Sequence, residues 1–119
     1  MIKKYLFVLR KPSYNGLYAQ EMLDIILTTA AFEQEVSVLL LDDAVFYLKN
    51  NQNALNSAYK NTATLFSILP TMDVDAIFVE TQSLLERGLS ADMLTLPVQE
   101  VSREDITPFM SQFDIVFAG

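Results

Sequence analysis

The run Val36-Ser37-Val38-Leu39-Leu40-Leu41, followed at once by Asp42-Asp43 and then by Ala44-Val45-Phe46-Tyr47-Leu48, decides the reading of the fold. A run that is nearly continuous in apolar character, rather than alternating, is what a strand covered on both faces of a parallel sheet requires. An acidic pair directly after it reads as the cap and first turn of a short helix, where free backbone N–H groups favour negative charge. Strand, acidic turn and helix in immediate succession make one βα unit, so the chain is expected to be α/β.

Working outward, Tyr5 to Leu9, Ala76 to Val79 and Ile115 to Ala118 are short apolar runs of the same kind. A fifth, Leu96 to Val98, is interrupted by Pro97, which removes a ladder donor and places that strand at an edge or makes it very short. Between the first two runs, Leu17, Leu23, Ile26, Leu27 and Ala30 recur at helical spacing, predicting a long helix over 15–32 with Asn15 as N-cap. Met22 and Ile25 widen its apolar stripe beyond what one sheet face needs, and the extra width is expected to face a partner subunit. Asn50, Asn51, Asn53, Asn56 and Asn61 predict an irregular excursion, followed by a helix over 62–69 that Pro70 ends. A helix over 81–87 should stop at Gly88 in a left-handed conformation, and Ser102 with Glu104-Asp105 should start a last short helix. The expectation is a single domain over 1–119, α/β, with a mainly parallel five-stranded sheet and helices on both faces.

Composition narrows the chemistry. With 51% hydrophobic and 19% charged residues in 119, the chain is too apolar for disorder, and the surplus suggests a buried subunit contact. Its net charge of −7 repels phosphate backbones and anionic membranes, so neither nucleic acid nor membrane is an expected partner. The absence of Cys, His and Trp excludes disulfides, thiolate or imidazole metal ligands, a Cys or His nucleophile and a Ser-His-Asp relay. Lys3-Lys4 before Tyr5 to Leu9 superficially looks like a secretory leader, but the apolar run is short of the ~7–15 residues of a leader core. A cytoplasmic location is expected.

Several positions invite a functional reading. Asp42-Asp43 and Glu80 each follow a predicted strand, at the carboxyl rim where open α/β sheets place ligands. A metal, phosphoacceptor or general-base role is conceivable there, yet adjacent carboxylates point apart, and helix-start acids that meet free N–H groups explain all three more simply. A receiver domain would need an acidic pair after the first strand, where this chain has Leu9-Arg10-Lys11. Tyr5, Phe46, Tyr47, Phe66, Phe78 and Phe117 are better read as core than as a ligand box. Gly16, Gly88 and Gly119 are too dispersed for a phosphate loop, and no cofactor is expected.

Three stretches taken together resemble the TusC or DsrF-like members of the DsrE/DsrF/DsrH sulfur-relay family. They are Gly16-Leu17 with Glu21, Leu23-Asp24 and Ala30-Ala31; Val38 to Leu48 centred on Asp43-Ala44-Val45-Phe46; and Ser83-Leu84 with Glu86-Arg87-Gly88-Leu89. The resemblance implies a subunit of a TusBCD-type heterohexamer that passes persulfide sulfur toward 2-thiouridine at the tRNA wobble position. TusB-like and Cys-bearing TusD-like sisters, with a TusE-like downstream carrier, would be its partners. In TusD- or DsrE-type relatives the relay Cys follows the strand leading into the Arg-Gly segment, which puts Glu80 and nearby Ser83 at a degenerate Cys site. A carboxylate cannot carry a persulfide, because the thiolate sulfur itself receives the cargo. A non-catalytic role is therefore expected, with Asp43, Phe46, Arg87 and Gly88 as interface or structural residues. The rivals are a DsrF-like subunit of a sulfur-oxidation complex, a homo-oligomer of the same fold, and a standalone ligand-binding or hydrolytic protein using the rim carboxylates.

Overall fold

The computed structural model describes residues 2–12, 17–49 and 65–118. Five strands form one sheet: β1 (Lys4–Leu9), β2 (Glu35–Leu40), β3 (Ala76–Glu80), β4 (Gln99–Val101) and β5 (Ile115–Ala118). Their order is β4-β3-β2-β1-β5 and every pairing is parallel. The helices are α1 (Leu17–Ala31), α2 (Thr81–Glu86) and α3 (Ile106–Met110), supplemented by 3₁₀ turns of which Asp42–Leu48 is the longest.

Side chains alternate across each strand, and the three inner strands β1, β2 and β3 largely bury both sets. Phe7, Leu9, Val38, Leu40, Ile77 and Val79 face the larger core layer, which α1 fills with Ala19, Met22, Leu23 and Ile26. Tyr47 and Leu48 of the 3₁₀ helix and Leu84 of α2 complete that layer. On the other face Leu6, Val8, Leu39 and Leu41 meet α3 through Ile106, with Phe78, Phe109, Met110 and Phe113 packed around them. Helices do cover both faces, but the second layer is thin.

The fourth strand lies beyond the expected Leu96 to Val98, at Gln99–Val101. Leu96 and Val98 are used as core contacts, and the ladder begins only once Pro97 is passed. Its place at the edge is as expected. Pro70 does not end a helix: it sits in the first turn of a 3₁₀ segment, Leu69–Met72, where no N–H is needed from it, and Asp73 at φ 64° ends that segment. Met22 is absorbed by the chain's own core, leaving Ile25 exposed on α1 and Phe32 exposed in the turn just after it. Arg87 closes α2, and Gly88 follows at φ 68°. The Gly88 N–H donates to the Leu85 carbonyl and the Leu89 N–H to that of Leu84, a Schellman stop sealed by contact between buried Leu84 and Leu89. The proposed Asn15 cap, Gly16, the Asn-rich excursion, the start of the 62–69 helix and Gly119 lie outside the described residues.

Candidate functional site

The carboxyl rim of the sheet carries a connected set of polar side chains. β3 ends on Glu80, which is 6% exposed, and α2 starts on the next residue, so one turn brings Ser83 back over the strand end. The Ser83 hydroxyl is fully buried; it donates to Glu80 Oε1 at 2.5 Å and accepts the Asp42 N–H at 2.9 Å. Asp42 has φ 52°, the left-handed turn by which the chain leaves β2 for the 3₁₀ helix. One hydroxyl thus ties the ends of two neighbouring strands together.

Arg103, in the turn before α3, closes the set from the far side. Its guanidinium donates to Glu80 Oε1 at 2.9 Å and forks onto both Glu86 oxygens at 2.8 and 2.9 Å. Its backbone N–H donates to Gln82 Oε1 at 2.7 Å. Arg87 Nε reaches Asp43 Oδ1 at 2.9 Å while its Nη1 donates to the Ser83 carbonyl at 3.2 Å. Asp42 turns the other way, with its carboxylate 3.5 Å from Arg10.

These contacts set the charge states. Burial pushes the Glu80 carboxyl up, but hydrogen bonds from Arg103 and Ser83 and the guanidinium charge outweigh it, so the group is held below its ordinary value. Glu86 is also lowered, chiefly by its hydrogen bond from Arg103, and Arg103 is raised by Glu86 and then Glu80. A carboxylate kept ionised and already engaged by two donors is poorly suited to general-base work, which calls for a value near the working pH.

Of the residues singled out from sequence, Glu80, Ser83, Asp43 and Arg87 converge here. Neither Asp42 nor Asp43 caps the 3₁₀ helix through its side chain; Leu41 occupies the cap position. Glu80 holds the N-cap position of α2 but makes no cap hydrogen bond, because its oxygen is taken by Ser83 and Arg103. This corrects the expectation that these acids meet free N–H groups. Phe46 packs, half-buried, against the core, and Gly88 is exposed at the helix stop. Among the described residues, no group of three acidic side chains is placed to hold a metal ion. Sequence reasoning missed Arg103 as Glu80's partner, together with Gln82 and Glu86. The spacing Glu80, Ser83, Glu86-Arg87 marks one face of a helix, but nothing local points to a cation 23 positions downstream.

The sequence signature of the DsrE/DsrF-like family matches residues 3–118. The chain belongs to the DsrE/DsrF-like family. It is 37% identical over 106 residues to the intracellular sulfur oxidation protein DsrF of Allochromatium vinosum, covering 89% of this chain and 75% of that one. It is 32% identical over 116 residues to the TusC homolog of Pseudomonas aeruginosa, covering 98% of both. The crystal structure of the ychN protein from E. coli has the same fold, with a TM-score of 0.76 over 99% of this chain and 100% of that one at 16% identity. In this DsrE/DsrF-like chain the end of β3 is therefore a buried, ion-paired carboxylate, within a sequence that holds no Cys at all.

Proposed function

We propose that this DsrE/DsrF-like chain is a non-catalytic structural subunit of a TusBCD-type sulfur-relay heterohexamer, working in the cytoplasm toward 2-thiouridine at the tRNA wobble position. The observation that carries the reading is Glu80. Where the resemblance puts the relay Cys of a sister subunit, this chain has a buried carboxylate locked by Ser83 and Arg103. Sulfur transfer needs a free thiolate to receive and release the cargo, and an engaged carboxylate offers neither nucleophile nor acceptor. The relay Cys would belong to a TusD-like sister, with a TusB-like third subunit and a TusE-like carrier downstream. This chain contributes surface and shape. Its likeness over 98% of its length to a TusC homolog supports that assignment.

The DsrF relative of Allochromatium vinosum, named for intracellular sulfur oxidation, favours a second reading in which the same scaffold serves an oxidative sulfur complex. Deletion of the gene in its own cells separates the two. Loss of wobble 2-thiouridine from total tRNA, restored both by the native chain and by Glu80→Gln, is the expected result. Undiminished 2-thiouridine overturns the thiolation role, and restoration by the native chain but not by a Glu80→Gln chain that still co-purifies with its sister proteins overturns the non-catalytic one. Co-purification with two sister proteins as a particle of about six chains is the expected assembly; a lone monomer or a pure homo-oligomer overturns the subunit reading.

A further inference from the structure

The order of the strands reverses at β1. From there β2, β3 and β4 step successively to one side, and the chain then crosses back over the opposite face, through α3, to lay β5 on the other side of β1. Open parallel sheets bind ligands outside the carboxyl ends of their strands, where the order reverses. In this chain the carboxyl ends of β1 and β5 border a cavity of about 220 Å³. Val8, Leu41 and Ile106 are its buried walls, and Met110, Val116 and Ala118 complete the lining. All six are apolar. None of them belongs to the Glu80 cluster.

Size and charge limit what this cavity can hold. An apolar cavity of about 150 Å³ stays dry and takes up benzene, so this one has room for a branched chain of about four to six carbons. The seventh lining residue is Arg10, which brings a charge pair to the mouth. Its Nε lies 3.5 Å from the carboxylate of Asp42, the residue after Leu41, and both side chains are at least half exposed. That separation exceeds the ~2.7–2.9 Å of a charge-assisted hydrogen bond, so the two charges leave each other's hydrogen-bonding capacity unused. Neither side chain makes a hydrogen bond among the described residues. A simple anion would gain Arg10 but meet Asp42, and a simple cation the reverse. A molecule that carries both charges beside an aliphatic group satisfies all three surfaces.

We propose that this cavity is a binding site for a free aliphatic α-amino acid. The ligand's carboxylate accepts from the Arg10 guanidinium, its ammonium group donates to the Asp42 carboxylate, and its side chain fills the space between Val8, Leu41, Ile106 and Met110. The assignment does not depend on the subunit role.

The test titrates the full-length chain with L-leucine, L-isoleucine and L-methionine by calorimetry. Beside them stand glycine, isocaproate and isoamylamine, which lack in turn the side chain, the ammonium group and the carboxylate of leucine. Saturable binding of at least one of the three amino acids is expected, about tenfold or more tighter than any truncated probe. Arg10→Gln and Asp42→Asn should each weaken it about tenfold or more, and Ala118→Leu, which fills the cavity without touching a charge, should abolish it. No saturation by any of the three amino acids at about 10 mM overturns the site. Isocaproate or isoamylamine binding as tightly as the amino acids overturns the doubly charged ligand. Undiminished affinity in a folded Ala118→Leu chain puts the amino acid elsewhere and overturns the cavity. The comparison of probes on the native chain decides the matter even where a variant fails to fold.

Discussion

The Ser83 hydroxyl accepts the backbone N–H of Asp42 at 2.9 Å across 41 positions of sequence, which makes one side chain of α2 the clasp on the turn leaving β2. The same oxygen gives its proton to Glu80, so neither side of the hydroxyl is idle. Removing it leaves a part-buried N–H without an acceptor and takes one donor from a buried carboxylate. Ser83→Ala is expected to lose about 1–3 kcal/mol of stability. The readout is the urea midpoint at unchanged slope. A midpoint equal to that of the native chain would mean that water replaces the hydroxyl fully.

Arg103 is half-exposed while its partner Glu80 is buried, so the two ends of this ion pair are not equivalent. Arg103→Met strands the buried charge and is expected to lower stability, by less than breaking a wholly buried pair would because solvent screens the arginine end. Glu80→Gln added to Arg103→Met should recover part of that loss, since no charge is then left behind. Denaturant titration of the double-mutant cycle measures the coupling, and strictly additive effects would refute it.

Acid should release the clasp. The folded-state value of Glu80 is lowered, so its contribution is complete above the ordinary carboxylate value of about 4.3 and is lost as pH falls through the lower folded value. Glu86, lowered chiefly by Arg103, adds in the same direction. Thermal unfolding from pH 7 down to pH 3 should show the native chain losing stability more steeply than Glu80→Gln below about pH 4.3. Parallel curves for the two would remove Glu80 from the acid response.

Gly88 is held at φ 68° with open space where a Cβ would stand, so the penalty of a side chain there is purely conformational. Gly88→Ala should destabilise by about 1 kcal/mol and Gly88→Asn by less, because Asn tolerates the left-handed region. Chemical denaturation of the two variants orders them; Ala as stable as Gly would show that the stop relaxes.

The parts of the fold that were legible in sequence are those whose residues face the core on both sides. Val36 to Leu41 and Ala76 to Val79 carry the parallel sheet in their composition because both faces of each strand are covered. Gln99–Val101 carries no such mark, since an edge strand has only one neighbour and fewer positions to bury. Its ladder is made by backbone groups that any sequence supplies. The candidate site divides in the same way. Glu80 and Ser83 were visible as rim residues, because strand ends and helix starts are local features. Arg103 was not, because pairing between groups 23 positions apart depends on how the β3–α2 and β4–α3 turns meet in space. The acids Asp42 and Asp43 do lie in the first turn of the 3₁₀ helix, as read, but their side chains do not cap it and are engaged instead by arginines of other elements.

β1 lies inside the sheet, and one of its two neighbours is β5. The Lys4 N–H meets the Asp114 carboxylate at 2.8 Å across 110 positions. During synthesis, β1 must therefore wait with one side unmated until β5, 110 positions after Lys4 by the Lys4–Asp114 contact, has been made. Pairings this distant place the closing of the sheet late in folding and make it slow, since chain-closure entropy is spent before the contact is gained. For that interval the nascent chain presents Tyr5 to Leu9 as an open ladder, the segment most exposed to mispairing with another strand.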